Sequence, residues 1–565
     1  MKDRTLPLVV VIETTVLGLA AMGIFGFLID RYDQVRAMAE EQVAPVEITQ
    51  ISIVLPTMTA STTRTPTVTA TVTPTLVVAL PSTTPTASRS PSPSASFTPR
   101  NTPLPASAAV KPTTAPTVVP VATLTVLSPT PRPTRAPTSS SFSALSQCDT
   151  IDDPGNYRLA NDVVANGDCI KVQTSYVVLD CAGHSIRGAN FTGSGVAIRK
   201  YGLLASQTPS YVEVRNCSIS NFKYGIFVES GRYLAIHDNN SSNNYDDTDP
   251  ITRFGIFLGA ADGGGIRINY VSDSQIFGNT TVHQAIGIDV RNSANVTIRA
   301  NTSSDNSAWG INFIGTRNSE ASNNVTADNI RKCVWGAGTV GFGCDAGGIV
   351  LQGGSNNNLV ANNNVIGRNG NGIFIKAHAQ PCGDNNTITG NTITSVLYNS
   401  VELGFCTGNR VNGNSIRNGL DGIWLGFAHD TEIKNNTVVN MQNHGIISSN
   451  SHNNVVSGNQ VVNSNEGLYF FSEDYDRNTF SWLPQGDYRS HDNCLCSNTF
   501  QNNGTAGIHL KDSTYNQVTN NTFQGNGRTV VVQGMGDGNN MQGNLGWVPG
   551  PVLDGALALW MRGAK

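Results

Sequence analysis

Gly372-Ile373-Phe374-Ile375 and Gly422-Ile423-Trp424-Leu425 open two rungs of one repeating phrase, and Gly445-Ile446 and Gly467-Leu468 open two more. About ten residues after each comes a second phrase, apolar-x-x-Asn-x-apolar. It runs Ile388 to Asn391 to Ile393, then Val411 to Asn414 to Ile416, Ile433 to Asn436 to Val438, and Val456 to Asn459 to Val461. From Ser400 through Gly422, Gly445 and Gly467 the steps are 22, 23 and 22 residues. Short alternating apolar runs at such a period predict a stack of similar coils, each burying its apolar face against the next.

The phrase settles which side chains have freedom. In a strand they alternate, so Ile373 and Ile375 are expected to point into the coil, and Phe374 and Lys376 outward. A column of Asn239, Asn279, Asn301, Asn324, Asn363, Asn391, Asn414, Asn436, Asn459, Asn498 and Asn521 recurs once per coil. Equivalent side chains about 4.8 Å apart can bond amide to amide in a ladder, and Asn tolerates the left-handed backbone of sharp turns. The column therefore reads as structural, and the Asn-x-Thr sequons within it as by-products of the repeat. The step from Gly310 to Gly348 is 38 residues and that from Gly467 to Gly507 is 40. Each fits one coil with an extended loop, or nearly two coils.

Outside the repeat the chain changes character. Leu6 to Ile29 is an apolar run of 24 residues, long enough to cross a bilayer at about 1.5 Å per residue. It lacks a small-x-small cleavage site and reads as an uncleaved signal anchor after a short start at 1–5, with a removable signal peptide as the rival. Residues 30–55 form a juxtamembrane segment. Residues 56–147 are mostly Thr, Pro, Ser, Ala and Val, too poor in large apolar residues to offset ordering entropy, and read as a disordered, extended stalk. The coils are expected over 148–545 and a C-terminal cap or tail over 546–565.

The net charge is −4 and charged residues are 13% of the chain, which argues against a nucleic-acid partner. All ten cysteines lie beyond residue 147. An even count behind an export signal favours disulfides in an oxidising compartment, with Cys148–Cys169 and Cys333–Cys344 as local pairs. The Cys494-x-Cys496 pair lacks a second pair at zinc spacing. The cysteines place the N-terminus inside and the bulk of a monomeric chain outside a cell membrane.

The stretch Cys148-Asp149-Thr150 through Val177-Val178-Leu179-Asp180-Cys181-Ala182-Gly183-His184-Ser185-Ile186-Arg187-Gly188 resembles the first coils of right-handed parallel β-helix proteins. That group includes NosD-like periplasmic proteins and pectate-lyase-like carbohydrate enzymes. Val212-Glu213-Val214-Arg215-Asn216-Cys217-Ser218-Ile219 and Tyr224-Gly225-Ile226-Phe227-Val228 continue the likeness. The resemblance implies an all-β fold, a right-handed parallel β-helix solenoid carried on the stalk, and leaves activity open. NosD raises copper, but the nine histidines are dispersed without His-x-His or Met-x-x-Met, so copper is not carried over.

Function is expected on the outward positions of the Gly-Ile strands. Phe374, Trp424 and Tyr469, with Asp289 and Arg291 further up the stack, suit a polysaccharide, whose sugar rings offer C–H faces and hydroxyls. The competing expectation is that a loop packs over this face and buries the aromatics. Lys376, His378, Tyr398 and Glu402 lie near one another by coil position and would suit elimination or epimerisation at a uronic acid. Calcium is a candidate cofactor at the acidic loop Tyr245-Asp246-Asp247-Thr248-Asp249-Pro250, and no other metal site is expected. Three functional classes stay open: a glycan-binding or glycan-modifying protein, a non-catalytic adhesion module, and a NosD-like maturation factor.

Overall fold

A computed structural model describes residues 141–202, 206–246, 261–330, 346–375, 382–475 and 486–546. The expected membrane span, juxtamembrane segment and most of the stalk lie outside the described residues, as do Cys333, Cys344, Lys376, His378, residues 247–250 of the acidic loop and residues 547–565. No helix among the described residues is long and apolar enough to cross a membrane.

Every coil gives one strand to each of three parallel sheets. One coil consists of Asp421–Gly426, Glu432–Lys434 and Thr437–Val439. We number the sheets by the place of these strands: Asp421–Gly426 belongs to sheet I, Glu432–Lys434 to sheet II and Thr437–Val439 to sheet III. Among the described residues they hold 15, 15 and 14 strands respectively. The first strand, Ser143–Leu145, pairs with Tyr157, Arg158 and Leu159, so the solenoid begins inside the segment read as stalk. The two long steps are extended loops rather than doubled rungs, as is a third from Ile226 to Ile266. Ile311 pairs directly with Ile349 across the first long step, and Leu468 with Ile508 across the second.

Parallel pairing in register stacks like on like. Ile373, Val401, Ile423, Ile446, Leu468 and Ile508 succeed one another in sheet I and are fully buried. They belong to one continuous core running from Leu145 to Val530. The glycine before each isoleucine also faces this core. A Cβ at Gly422 would meet Val438 Cγ1 at 2.6 Å, and one at Gly467 would meet Phe500 Cδ1 at 2.6 Å. Two successive residues thus face inward, and pairing passes from Asn399–Asp421 to Val401–Ile423 without using Gly422. The residue before the glycine is thereby turned to the outer face.

The Asn column forms the expected ladder. Asn436 Nδ2 donates to Asn459 Oδ1 and Val411 O, both at 2.9 Å, and its Oδ1 accepts from Asn414 Nδ2 at 2.9 Å. All eleven members are buried. The left-handed turn falls on the residue before each ladder Asn, among them Asn323, Asn362, Asn435 and Asn520 with φ of 54°, 55°, 55° and 57°. Ladder and turn are therefore adjacent duties. Other corners carry further ladders, including Asn306–Asn329–Asn369 and Asn454–Asn493–Asn516.

Disulfides join Cys148–Cys169, Cys181–Cys217, Cys382–Cys406 and Cys494–Cys496. The last removes the Cys-x-Cys pair from consideration as a metal ligand.

Replacing Asn436 by Ala strands the amide of Asn414 and the carbonyl of Val411 in a dry interior. Each buried polar group left unpaired costs about 1–3 kcal/mol. Asn436→Ala should lower the unfolding free energy by at least about 2 kcal/mol, read as the shift in urea midpoint.

Candidate functional site: the outer face of sheet I

The outer face of sheet I divides into two stretches. In the first, Asp289 lies buried against Arg267 and Arg291, with Arg291 Nε donating to Asp289 Oδ2 at 2.8 Å and Arg267 Nε at 2.7 Å. Asn312 Nδ2 donates to Asp289 Oδ1 at 2.8 Å and Gln352 Nε2 to Asn312 Oδ1 at 2.7 Å. Arg267 also contacts Tyr224 and Asp262. Burial pushes the Asp289 carboxyl up, and the two guanidiniums outweigh it and hold the group below the usual carboxylate range. Asp289 and Arg291 are thus committed to one another and to their neighbours, and Asp289 is only 2% exposed. Broken ion pairs of this kind are costly, which makes the cluster structural and corrects its reading as a sugar contact.

Beyond it lies an apolar patch of Ala261, Ala285, Ile286, Ala308, Trp309, Val350 and Phe374. Phe374 is on the outer side as expected but only 1% exposed. It is no free platform, and here the expectation of a covered face is the correct one. Tyr398 is likewise buried, packed with Ala346, Ile330, Leu397 and Leu420, so it does not serve as a surface base.

The second stretch, from Glu402 to His509, is different. In one register column stand Asn399, Asp421, His444 and Glu466, and in the next Glu402, Trp424, Ile447, Tyr469 and His509. Asp421 Oδ1 accepts from the backbone N–H of His444 at 3.0 Å and lies 2.7 Å from its Nδ1. A carboxylate only accepts, so Nδ1 carries the proton and Nε2 is left facing Glu466 Oε2 at 3.7 Å. Glu466 Oε1 lies 3.0 Å from His509 Nδ1. Glu402 accepts from Asn399 Nδ2 at 2.8 Å. The Asp421 and Glu466 side chains are 8% and 9% exposed, His444 20% and His509 16%. The carboxylates form a floor with the imidazoles slightly above it.

The aromatic rings divide in the same way. Tyr469 is sandwiched, with His444 at 5.4 Å on one side and His509 at 4.6 Å, and Phe471 at 4.6 Å, so its faces are taken. Burial, with Glu466, Glu473 and Asp512 nearby, pushes its hydroxyl up to about 12, which keeps it protonated at neutral pH. Trp424 instead lies down. Its ring occupies the space where side chains at Gly426 and, less closely, Gly404 would stand. With two glycines beneath, the indole rests on bare backbone and remains partly exposed. At the adjoining corner Tyr475 and Tyr488, at the described ends of the second long loop, pack on Phe405 and Phe427.

Lys376 and His378 lie outside the described residues. Of the other expected site residues, the fold brings together Glu402, Trp424 and Tyr469. It adds Asp421, His444, Glu466 and His509, of which Asp421, His444 and Glu466 were missed because strict alternation counts residues before the glycine as inward. A recess of about 740 Å³ elsewhere, lined by Arg158, Asp180, Asn216 and Asp238, has Asp180 already held by Arg158, Arg215 and Asn216.

Residues 160–326 and 258–382 match the family described as right handed beta helix region, and residues 383–482 and 487–544 match the periplasmic copper-binding protein (NosD) family. The chain is a right-handed parallel β-helix protein. No curated protein sequence matches it. Among solved structures, the mannuronan C-5 epimerase AlgE4 A-module of Azotobacter vinelandii aligns with 73% of this chain and 90% of its own, at 14% identity and a TM-score of 0.38. The Dettilon tailspike protein aligns over 53% and 60% at 16% identity and 0.34. DFA-IIIase from Arthrobacter chlorophenolicus aligns over 51% and 70% at 15% identity and 0.33. At these scores nothing of their chemistry is carried to this β-helix.

The NosD match makes copper worth testing against the residues. His429, His452 and His491 stack on successive coils with centroids 5.1 Å apart and nearly parallel rings. Parallel rings at that spacing do not converge on one ion. The described cysteines are in disulfides, and among the described residues no group of three His, Cys, Asp or Glu side chains is placed to hold a metal. The described residues do not fit copper.

The middle ring of the stack, His452, is perturbed by its neighbours. Burial, then His429 and His491 on either side, hold the His452 imidazole below its ordinary range, and Asp430 and Asp487 oppose this only in part. The unfolded chain then binds more protons than the folded one, so this contribution to stability is present above about pH 6.5 and lost as pH falls from there through the lower value of the folded state. His237 acts oppositely, since Glu213 and Asp238 outweigh its burial and raise it. His452→Gln should therefore lose less stability than the parent between pH 7.5 and 5.0, read from urea midpoints at both values.

Proposed function

We propose that this β-helix binds a polysaccharide along the outer face of sheet I between Glu402 and His509. The observation that carries this reading is the Trp424 indole lying flat over Gly404 and Gly426. A flat, partly exposed ring offers a stacking surface for the C–H face of a sugar. The neighbouring carboxylates and imidazoles supply acceptors and donors for hydroxyls. Solenoid coils repeat at about 4.8 Å, so the face extends along a line, as a chain-like ligand requires.

The chain is proposed to sit at a membrane, with Leu6 to Ile29 as anchor, residues 56–147 as stalk and the β-helix on the outer side. The disulfides support an oxidising compartment. Cell fractionation should place the full chain with membranes and leave a variant lacking residues 1–29 soluble, and recovery of the full chain as a soluble protein would refute the anchor.

Binding is tested by affinity electrophoresis of the purified full chain in gels containing laminarin, xylan, galactomannan, alginate or polygalacturonate. At least one polysaccharide should retard migration. Trp424→Ala should weaken that retardation at least about tenfold, equivalent to about 1.4 kcal/mol. Gly426→Val, which displaces the indole, should do the same. No retardation in any gel, or variants indistinguishable from the parent, would refute the glycan reading.

A further inference from the structure

We propose that Cys494–Cys496 is a redox-active disulfide, reduced by exchange with a dithiol while the disulfides that join coils stay closed. The pair lies on sheet II, so this inference is independent of the glycan-binding proposal.

What the bond encloses sets it apart. Cys148–Cys169, Cys181–Cys217 and Cys382–Cys406 join residues 21, 36 and 24 apart in the chain, and each ties one coil to the next. The separation in Cys494–Cys496 is 2, and the ring closes around Leu495 alone. A disulfide stabilises largely by constraining the unfolded chain, and does so more for a longer loop. A bond around one residue constrains almost nothing. Nor does the strand depend on it. Cys494–Cys496 pairs in register with Val455–Ser457, Cys494 bridges Gln517 on the following coil, and Leu495 is fully buried. The amides of Cys494 and Leu495 donate to Asn454 O and Gln517 O, both at 2.8 Å.

Access follows from strand geometry. Alternation puts Leu495 in the core and both cysteines on the outer side of sheet II, where each is partly exposed. Their register neighbours are Val455, Ser457 and Gln517, none of them large. In each of the other described disulfides at least one cysteine is buried: Cys169, Cys181, Cys217 and Cys406 are at most 2% exposed. An attacking thiolate therefore reaches the Cys494–Cys496 bond before the others. The strand also sets how readily the bond re-forms. Residues two apart lie about 6.6 Å from one another along a strand, near the upper end of the roughly 4.4–6.8 Å that disulfides span. Held by the coils on either side, the freed sulfurs have no tendency to return. Accessible disulfides of this kind are the exchangeable ones.

The exchange balances with a dithiol as the only co-reactant. A thiolate of the dithiol attacks one sulfur of the pair, a mixed disulfide forms, and the Cys494–Cys496 bond breaks. The sulfur released takes up a proton. The second thiol of the same molecule, deprotonated in turn, attacks the mixed disulfide and closes the reductant's own ring. The second cysteine leaves and takes up the other proton. Two electrons and two protons pass from the dithiol to the protein. A dithiol suits the site better than a monothiol because its second thiol is already in place for the second step.

The experiment exposes the purified full chain to rising dithiothreitol, blocks free thiols with N-ethylmaleimide and locates the label by mass spectrometry of peptides. Without reductant the peptide carrying Cys494 and Cys496 should take no label. It should take two labels at a dithiothreitol concentration at least about tenfold below that which opens any of the other three described disulfides. The circular dichroism spectrum should not change on opening, and oxidised glutathione should re-form the bond. 2-Mercaptoethanol at equal thiol concentration should give two labels at least about tenfold more slowly. The double variant Cys494→Ser, Cys496→Ser should keep the parent's melting temperature, whereas Cys181→Ser with Cys217→Ser should lower it. Label on both cysteines before reductant, opening only together with the other disulfides, or unfolding on opening would overturn the inference. So would equal rates with the monothiol, or equal losses of melting temperature in the two double variants.

Discussion

Every coil of this protein must close at the same height as its neighbours, because in-register parallel pairing fixes the vertical spacing of all three sheets at once. The buried amide ladder enforces that condition. Each Asn takes a proton donor from the coil before and gives one to the coil after, as Asn414, Asn436 and Asn459 do. A coil out of height would break bonds in a place water does not reach, where an unpaired amide is costly. The apolar core adds the bulk of the driving force and excludes slips of one residue, which would turn its side chains outward. The ladder is what makes one register better than its alternatives.

The same constraint organises the outer face. Identical spacing piles whatever the outward positions carry, so like side chains meet like. Rings stack, as with His429, His452 and His491, and charges must alternate or be separated. The stretch around Asp289 solves this by alternating Arg267, Asp289 and Asn312 up one column. The stretch around Glu466 solves it by setting imidazoles between carboxylates. The first arrangement is closed, since Asp289 is buried and finds its partners within the protein. The second has its imidazoles partly open and a bare indole beside it. The closed hydrogen bonds around Asp289, against the partly exposed indole of Trp424, separate scaffold from candidate site.

Much of this was legible in the chain. Glycine-isoleucine starts and the Asn column name both the core and its ladder, and Glu402, Trp424 and Tyr469 fall where a period of about 22 places them. The first thing sequence does not reveal follows from one local departure. Alternation assumes a regular strand, and each rung breaks it at the glycine, so that Asp421, His444 and Glu466 emerge on the face opposite to the one that counting predicts. Phe374 illustrates a second blind spot. Its outward direction is right, but whether another part of the chain covers an outward residue depends on contacts far away in sequence, and no period encodes them. The left-handed corners are a third. Asn was expected to serve ladder and turn together, whereas the fold gives the turn to the preceding residue and lets Gly, Ser, Asp, Ala or Asn fill it.

The glycine break also explains how a repeat with so rigid an interior can carry chemistry. In an unbroken strand, every second residue belongs to the core, leaving one outward position between successive inward ones. Turning Asp421 outward puts it on the same side as Trp424, with Gly422 and Ile423 both directed inward. The outer face gains a second column beside the first, and neither costs the core a packing position. Two parallel columns at fixed spacing give a grid on which a carboxylate, an imidazole and an aromatic ring can be set in chosen neighbouring squares. Glycine is required because a Cβ there would strike the opposite sheet, at Val438 beneath Gly422 and at Phe500 beneath Gly467. The residue that looked like the mark of a structural repeat is therefore also what makes room for the candidate site.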